Sequence, residues 1–348
     1  NKMYITFEAE EGVLETKEIT YGDTYGDLPV LEKEGYTFKG WYTAMDGGEK
    51  VEENTVVTSS KTLYPRWEIN TYTITFNTDG GSDVETMNVD YNDEVTEPTI
   101  PTKLGYTFAC WTPELPERMP AENLEVTATW TPNEYTVRFE ANGGNIVNLG
   151  DTWTEKTVTY GKSYGELPQA KSDVATFLGW YTSGDEEKEI TSDSIVSITK
   201  DQTLYAKWEL LDNVAVYSVT DNSLRFLKPT KVFNAGTIYE DREATAIYTD
   251  YETAKYSSSN LPVWNAYSST IEKVTFETEV APVSTAYWFY KCNNLTNINI
   301  PNKVQIIQER TFSYCHKLKR INFYYFWQCP FRLGYARAKT TATPMTKR

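Results

Sequence analysis

His316, flanked by Cys315 and Lys317, is the single imidazole in 348 residues. An acid–base or metal site built on it would need further ligands or an orienting carboxylate. None of Cys110, Cys292, Cys315 and Cys329 stands in a Cys-x-x-Cys pair or at a zinc-ligand spacing. The runs Glu52-Glu53 and Asp185-Glu186-Glu187 contain the residue types of a hydrolytic acid and base. Like-charged runs in loops are ordinarily solvated. EF-hand spacing, phosphate-cradling loops and dinucleotide fingerprints do not occur in the sequence. No catalytic, cofactor-binding or metal-binding residue is therefore named, and the expectation is a protein that is not an enzyme.

Charge narrows the partners. The net charge is -16, and residues 310–348 carry nine basic side chains and no acid, so the rest is more acidic still. An acidic surface repels phosphate, which argues against nucleic acid. No run of about 18 apolar residues exists, so membrane insertion is not expected. The chain starts in a strand-like pattern at Asn1-Lys2-Met3-Tyr4, which reads as an internal piece of a longer or processed protein.

The elements that would position any site come from a repeat. Gly35-Tyr36-Thr37-Phe38-Lys39-Gly40-Trp41-Tyr42-Thr43 returns as Gly105 to Thr112 and, eroded, as Ala175 to Thr182. Recurrence at a fixed period means one unit copied several times. Each copy opens with an alternating strand: Tyr4-Ile5-Thr6-Phe7, Tyr72-Thr73-Ile74-Thr75-Phe76 or Tyr135-Thr136-Val137-Arg138-Phe139. Gly80-Gly81 and Gly143-Gly144 are expected to make tight hairpins, and Glu10-Glu11-Gly12 a different turn. Second strands follow at Lys17 to Tyr21, Met87 to Tyr91 and Lys156 to Tyr160. Tyr-Gly-x-x-Tyr-Gly-x-Leu-Pro, at Tyr21 to Pro29 and Tyr160 to Pro168, reads as a short helical turn or a wide loop. Phe38 and Trp41 would point to opposite faces of a strict strand, so a bulge near Gly40 is predicted. Final strands end at Trp67, Trp130 and Trp208. Trp41, Trp67, Trp111, Trp130, Trp180 and Trp208 are assigned to the cores rather than to a sugar platform. The connectors, Glu68 to Thr71 and Thr131 to Glu134, are short enough for a semi-stiff rod.

Together Y-x-I-x-F-x-x-x-G-G, G-Y-T-F-x-G-W-Y-T and L-Y-A-x-W resemble the Listeria–Bacteroides repeat, the internalin B-repeat family, over roughly residues 3–209. The resemblance implies β-grasp-like units with a sheet curled over a short helical segment. It also implies a cell-envelope location, a spacer or adhesive role, and no catalytic residues. Departures are Cys110 in place of glycine, the missing Gly-Tyr before Thr176, and the second copy's lack of the Leu-Pro motif.

From Leu210 the texture changes. A hairpin is predicted around Asp221-Asn222, a strand at Ala244 to Tyr248, and a short helical or looped insertion at Trp264 to Tyr267. Segments starting at Ile271, Leu295 and Leu318 recur at leucine-rich-repeat spacing. With Trp288-Phe289-Tyr290-Lys291-Cys292 and Thr311-Phe312-Ser313-Tyr314-Cys315 ahead of two of them, they resemble the BspA-like leucine-rich repeat. Cys292 and Cys315 would be buried members of a ladder, with a disulfide as the lesser alternative.

The expected fold is mainly β: tandem small β-grasp-like modules, then a short leucine-rich-repeat-like solenoid. The boundaries are 1–69, 70–132 and 133–210 for the modules, 211–270 for a lead-in, 271–323 for the coils and 324–348 for an irregular basic tail. Candidate partner-binding residues are Thr275, Thr296, Asn297, Asn299, Lys319, Arg320 and Asn322, with Glu272 and Lys273 beside them. The functional expectation is a monomeric bacterial cell-surface or secreted fragment, whose stalk presents the coils to a protein or glycan on a host or neighbouring cell. The alternative is a carbohydrate-binding accessory region of a larger secreted enzyme.

Overall fold

Ile5 and Phe7 on the strand Lys2–Ala9 are fully buried, while Thr6 between them is not. The period-two pattern thus sets one face of each module against its core. Module 1 orders its strands Gly12–Thr20, Lys2–Ala9, Lys61–Ile69, Tyr36–Tyr42, Lys50–Val51, with Lys2–Ala9 parallel to Lys61–Ile69. Module 2 repeats the order as Met87–Asp90, Thr71–Asn77, Leu124–Pro132, Tyr106–Thr112. Module 3 repeats it as Glu155–Thr159, Glu134–Glu140, Gln202–Leu210, Ala175–Tyr181, Glu189–Ile190. The computed structural model describes residues 1–147, 154–277, 280–304, 307–308, 310–323 and 339–340, in two units, Asn1–Asn133 and Glu134–Arg348. The tail assigned to 324–348, Cys329 included, lies outside the described residues apart from 339–340.

The bulge falls where the sequence places it. Register shifts between Phe38 and Gly40, Phe108 and Cys110, and Phe177 and Gly179 turn Trp41, Trp111 and Trp180 into the core. Gly40 takes φ +114°, but Cys110 makes the same bulge without a positive φ. The aromatic packing is copied with it. Phe7 meets Trp41 at 4.8 Å, Phe76 meets Trp111 at 5.0 Å, and Phe139 meets Trp180 at 4.9 Å. Phe38, Phe108 and Phe177 bridge to the second, half-buried tryptophans Trp67, Trp130 and Trp208.

The motifs that vary between copies serve these indoles. Trp41 Nε1 donates to Pro29 O at 2.7 Å and Trp180 Nε1 to Pro168 O at 2.6 Å, which gives the Leu-Pro of copies one and three a purpose. Trp130 Nε1 donates to Thr78 O and Trp208 Nε1 to Ala141 O. These two indoles lie on Gly81 and Gly144, where a Cβ would collide with the ring. The Gly-Gly pairs therefore make room for tryptophan more than they tighten a hairpin. The two-residue connection is in module 1, Glu10-Glu11, whereas residues 78–86 join the first two strands of module 2.

Of the two readings of the Tyr-Gly-x-x-Tyr-Gly segment the loop holds, and the short helical segment implied by the family resemblance is corrected. No α-helix occurs among the described residues, and the Tyr-Gly-x-x-Tyr-Gly segment is an irregular loop. Tyr25 and Tyr164 are buried, and their N–H groups donate to Thr55 O and Ser194 O. That loop-to-loop pairing fills the place of the helical segment and satisfies the backbone that a helix would have satisfied internally.

Modules 1 and 2 meet through Asn70, the one residue between Lys61–Ile69 and Thr71–Asn77. Its N–H donates to Gly35 O and its carbonyl accepts from Tyr91 N–H, each at 2.9 Å. Its Oδ1 accepts from Thr37 Oγ1 at 2.5 Å. Tyr36 and Tyr91 pack edge to face at 5.9 Å. Gly35, at φ +73°, has the Tyr91 ring where a Cβ would be. Each module nevertheless keeps its own core.

In the second unit, module 3 runs into a different seam. Leu211 N–H donates to Val174 O, and Val174 joins Val214, Val216, Leu227, Phe233, Tyr239 and Ala244 in one apolar cluster. Asp173 and Asn234 add hydrogen bonds across it. Both strands of the hairpin, Val214–Ser218 and Ser223–Leu227, are buried, and Ser223–Leu227 pairs parallel with Lys273–Phe276. Phe226, Tyr251 and Trp264, from the lead-in, share a core with Ile271, Trp288, Leu295, Ile298 and Ile321. Lead-in and coils are thus one packing unit, the hairpin covering the first coil as a cap covers a solenoid.

Candidate functional site

Asn297–Ile300 and Arg320–Phe323 pair in parallel, with Asn297 opposite Arg320 and Asn299 opposite Asn322. Alternation buries Ile298, Ile300 and Ile321 and turns Asn297, Asn299 and Arg320 outward. Asn322 Nδ2 donates to Asn299 Oδ1 at 2.7 Å, so the two amides form a rung between neighbouring coils. Four of the seven candidate residues, Asn297, Asn299, Arg320 and Asn322, are brought together in this patch.

Of the other three, Thr275 lies on a separate ladder, while Thr296 and Lys319 sit at the start of this one. Thr275 is exposed on Lys273–Phe276, whose ladder partner is Ser223–Leu227, and its opposite residue is Arg225. Thr296 and Lys319 each precede a strand, where Lys319 N–H donates to Thr296 O at 2.8 Å. Glu272 accepts from Asn222 Nδ2, and Lys273 is exposed. The row is consequently two short ladders rather than one.

Arg225 is the charged residue that the sequence reading missed. Its side chain is buried and bound by Glu277 at 2.6 Å through both Nε and Nη2, with Glu240 on Nη2. Hydrogen bonding to Glu277, helped by Glu240, holds the guanidinium above its ordinary value against the opposing effect of burial. A lone cation between Leu224 and Phe226 in an apolar strand was the available signal, because burial of such a charge demands partners.

The thiols are structural. Cys292 is buried and Cys315 half-buried, both free, and Cys315 Sγ donates to Phe289 O at 2.9 Å. The disulfide alternative is not what the structure holds. Burial pushes the Cys292 thiol up, and Cys315 to about 12, so neither is a nucleophile at neutral pH. His316 is exposed beside the Tyr314 ring, and no cluster of three or more metal-ligating side chains exists among the described residues. Glu187 pairs with Lys207 at 2.6 Å. No described helix is long and apolar enough to cross a membrane.

The repeated strand order, bulge and aromatic packing agree with comparison to known proteins. Residues 4–65, 72–115 and 135–207, just over half of the chain, match the Listeria-Bacteroides repeat domain. The chain belongs to that family. Residues 265–328 match the BspA type leucine rich repeat region. A protein of Evansella cellulosilytica, provisionally named a Gly-rich membrane protein, is 35% identical over 227 residues, 61% of this chain and 24% of that protein. A second, provisionally named a membrane protein, is 36% identical over 188 residues, 51% of this chain and 27% of its own. Internalin H of Listeria monocytogenes is 40% identical over 113 residues, 29% of this chain and 20% of its own length. The chain thus spans about a quarter of these relatives. The Listeria–Bacteroides modules carry the aromatic cores, and both matched regions are repeats of a kind typical of bacterial surface proteins.

Proposed function

We propose that this chain is a non-catalytic segment of a bacterial surface protein. In this reading the Listeria–Bacteroides modules are spacers, and the leucine-rich coils contact a protein or glycan on a host or neighbouring cell. The observation that carries it is the patch of exposed Asn297, Asn299 and Arg320 with half-buried Asn322, three amides and a guanidinium on a strand pair whose other face is packed into the core. Such a patch offers hydrogen bonds without needing to reorder, which lowers the cost of association. The single-residue connection at Asn70, bonded on both sides, supports the spacer role. The chain acts as a monomer in this scheme.

The test is adhesion of the purified chain to host and bacterial cells, with Asn297→Ala/Asn299→Ala/Arg320→Ala as the comparison. Saturable binding that the triple variant weakens by about tenfold or more is expected, since hot-spot losses reach that size. Binding that the variant leaves unchanged would remove the coils from the interaction. A single sedimenting species at micromolar concentration is the expected state.

A further inference from the structure

The Listeria–Bacteroides module is copied three times, but its outward face is not. In module 3, Tyr181 and Tyr205 stand directly opposite each other across Ala175–Tyr181 and Gln202–Leu210. Module 1 has Tyr42 opposite Tyr64 at the same place, and module 2 has Thr112 opposite Thr127. The sheet forms equally well with threonines there, so the tyrosine pair is not required by the fold.

In module 3 this pair lies in a cleft of about 510 Å³ shared with the segment that follows, lined by Tyr181, Tyr205, Trp208, Asn142, Lys207 and Lys231 among others. The two walls are fixed by the Val174 cluster and by Asn234, which donates to Gly143 O at 2.9 Å and accepts from Asp173 N–H. Lys207 sits 4.8 Å from the centre of the Tyr181 ring and is itself held by Glu187, which orients that phenol. Asn142 Nδ2 is committed to Ala206 O, leaving Oδ1 as an acceptor. Among the described residues the Tyr205 hydroxyl and the Lys231 ammonium have no hydrogen-bond acceptor or donor opposite them.

The geometry points to a carbohydrate-binding cleft, taking two or three sugars of a neutral pyranose chain. A pyranose presents a C–H face that lies on a phenol, and a rim of hydroxyls that both donate and accept. The cleft offers both halves: aromatic faces, and donors and acceptors beside them. Competing occupants fit less well. In the lining Glu187 neutralises Lys207, so a single cation, Lys231, remains, too little charge to hold a chain of phosphates or acidic sugars. A peptide strand would seek a sheet edge, whereas these tyrosines stand on a sheet face.

The test is isothermal titration of the full chain with cellohexaose, xylohexaose and N-acetylchitohexaose. Saturable binding to at least one is expected. Tyr181→Thr/Tyr205→Thr, which copies module 2, should weaken it by about tenfold or more with an unchanged circular dichroism spectrum. Lys231→Ala should weaken it less, and Arg320→Ala not at all, which separates this cleft from the coil patch. Absence of saturation with all three hexaoses, or equal affinity in the threonine variant, would overturn the proposal. So would displacement of bound sugar by unrelated extended peptides.

Discussion

The seam after module 1 and the seam after module 3 occupy the same place in the repeat and use opposite chemistry. Each keeps one backbone bond, Asn70 N–H to Gly35 O in the first and Leu211 N–H to Val174 O in the second, both at 2.9 Å. Around the first stand an amide, a hydroxyl and an edge-on tyrosine pair. Around the second stand seven buried apolar residues. The polar seam adds nothing to either module's core, so it can be reused between copies. The apolar seam joins module 3 to a new fold, and a further Listeria–Bacteroides module could not be accepted there without leaving Val174 uncovered. A glycine-to-valine exchange thus separates a link from a terminus.

The strongest way to break this contrast is Val174→Asp. A carboxylate in the second seam without a cation opposite should cost about 3–5 kcal/mol, read by urea unfolding of the whole chain. Gly35→Val attacks the first seam, where a branched side chain meets both φ +73° and the Tyr91 ring. A cost of about 3 kcal/mol is expected, with new protease sensitivity at residues 69–71 while the module cores stay protected. Arg225→Met leaves Glu240 and Glu277 without their cation, but both are more than a third exposed. About 2 kcal/mol is expected, confined to the coil unit in hydrogen exchange. Asn70→Ala removes two exposed or half-buried side-chain bonds, from Thr37 Oγ1 and to Tyr72 OH, and should cost only about 1 kcal/mol, seen as a small shift in the melting of modules 1 and 2.

The thiols sharpen the same contrast by pH. Cys315 is raised from 9.0 to about 12, so between those values the unfolded chain releases a proton that the folded chain keeps. The coil unit should lose stability as pH climbs above 9.0, in a denaturation series where modules 1 and 2, holding only exposed Cys110, do not follow through a buried thiol. Iodoacetamide at pH 8 should label Cys110 well before Cys292 or Cys315.

Much of this was legible in sequence because large residues at fixed spacing leave few options. Phe38 and Trp41, three apart, demand a bulge if both are to be buried, and the register shift lies between Phe38 and Gly40. The coil strands were legible from Ile298 and Ile321 recurring one coil apart. What stayed hidden depends on partners distant in the chain. Gly144 reads as a turn residue until Trp208 is found lying on it. The Tyr25 segment reads as helical turn or loop alike until Thr55 supplies its backbone acceptor. Asn1, Asn70 and Asn133 precede each first strand, yet the sequence does not reveal that the amide of Asn70 holds Thr37, 33 residues away. The patch was half legible: alternation gave Asn297, Asn299, Arg320 and Asn322, but not that Thr275 pairs with a different strand.

The central claim, that the bonded single-residue seam at Asn70 makes modules 1 and 2 a stiff pair, is tested most directly by pulsed electron spin distance measurement. Labels would replace Val13 and Ile100, both exposed, in a background with all four native cysteines changed to serine or alanine. A narrow distance distribution that broadens in Gly35→Val is the predicted result. A distribution already as broad in the unaltered seam would contradict it.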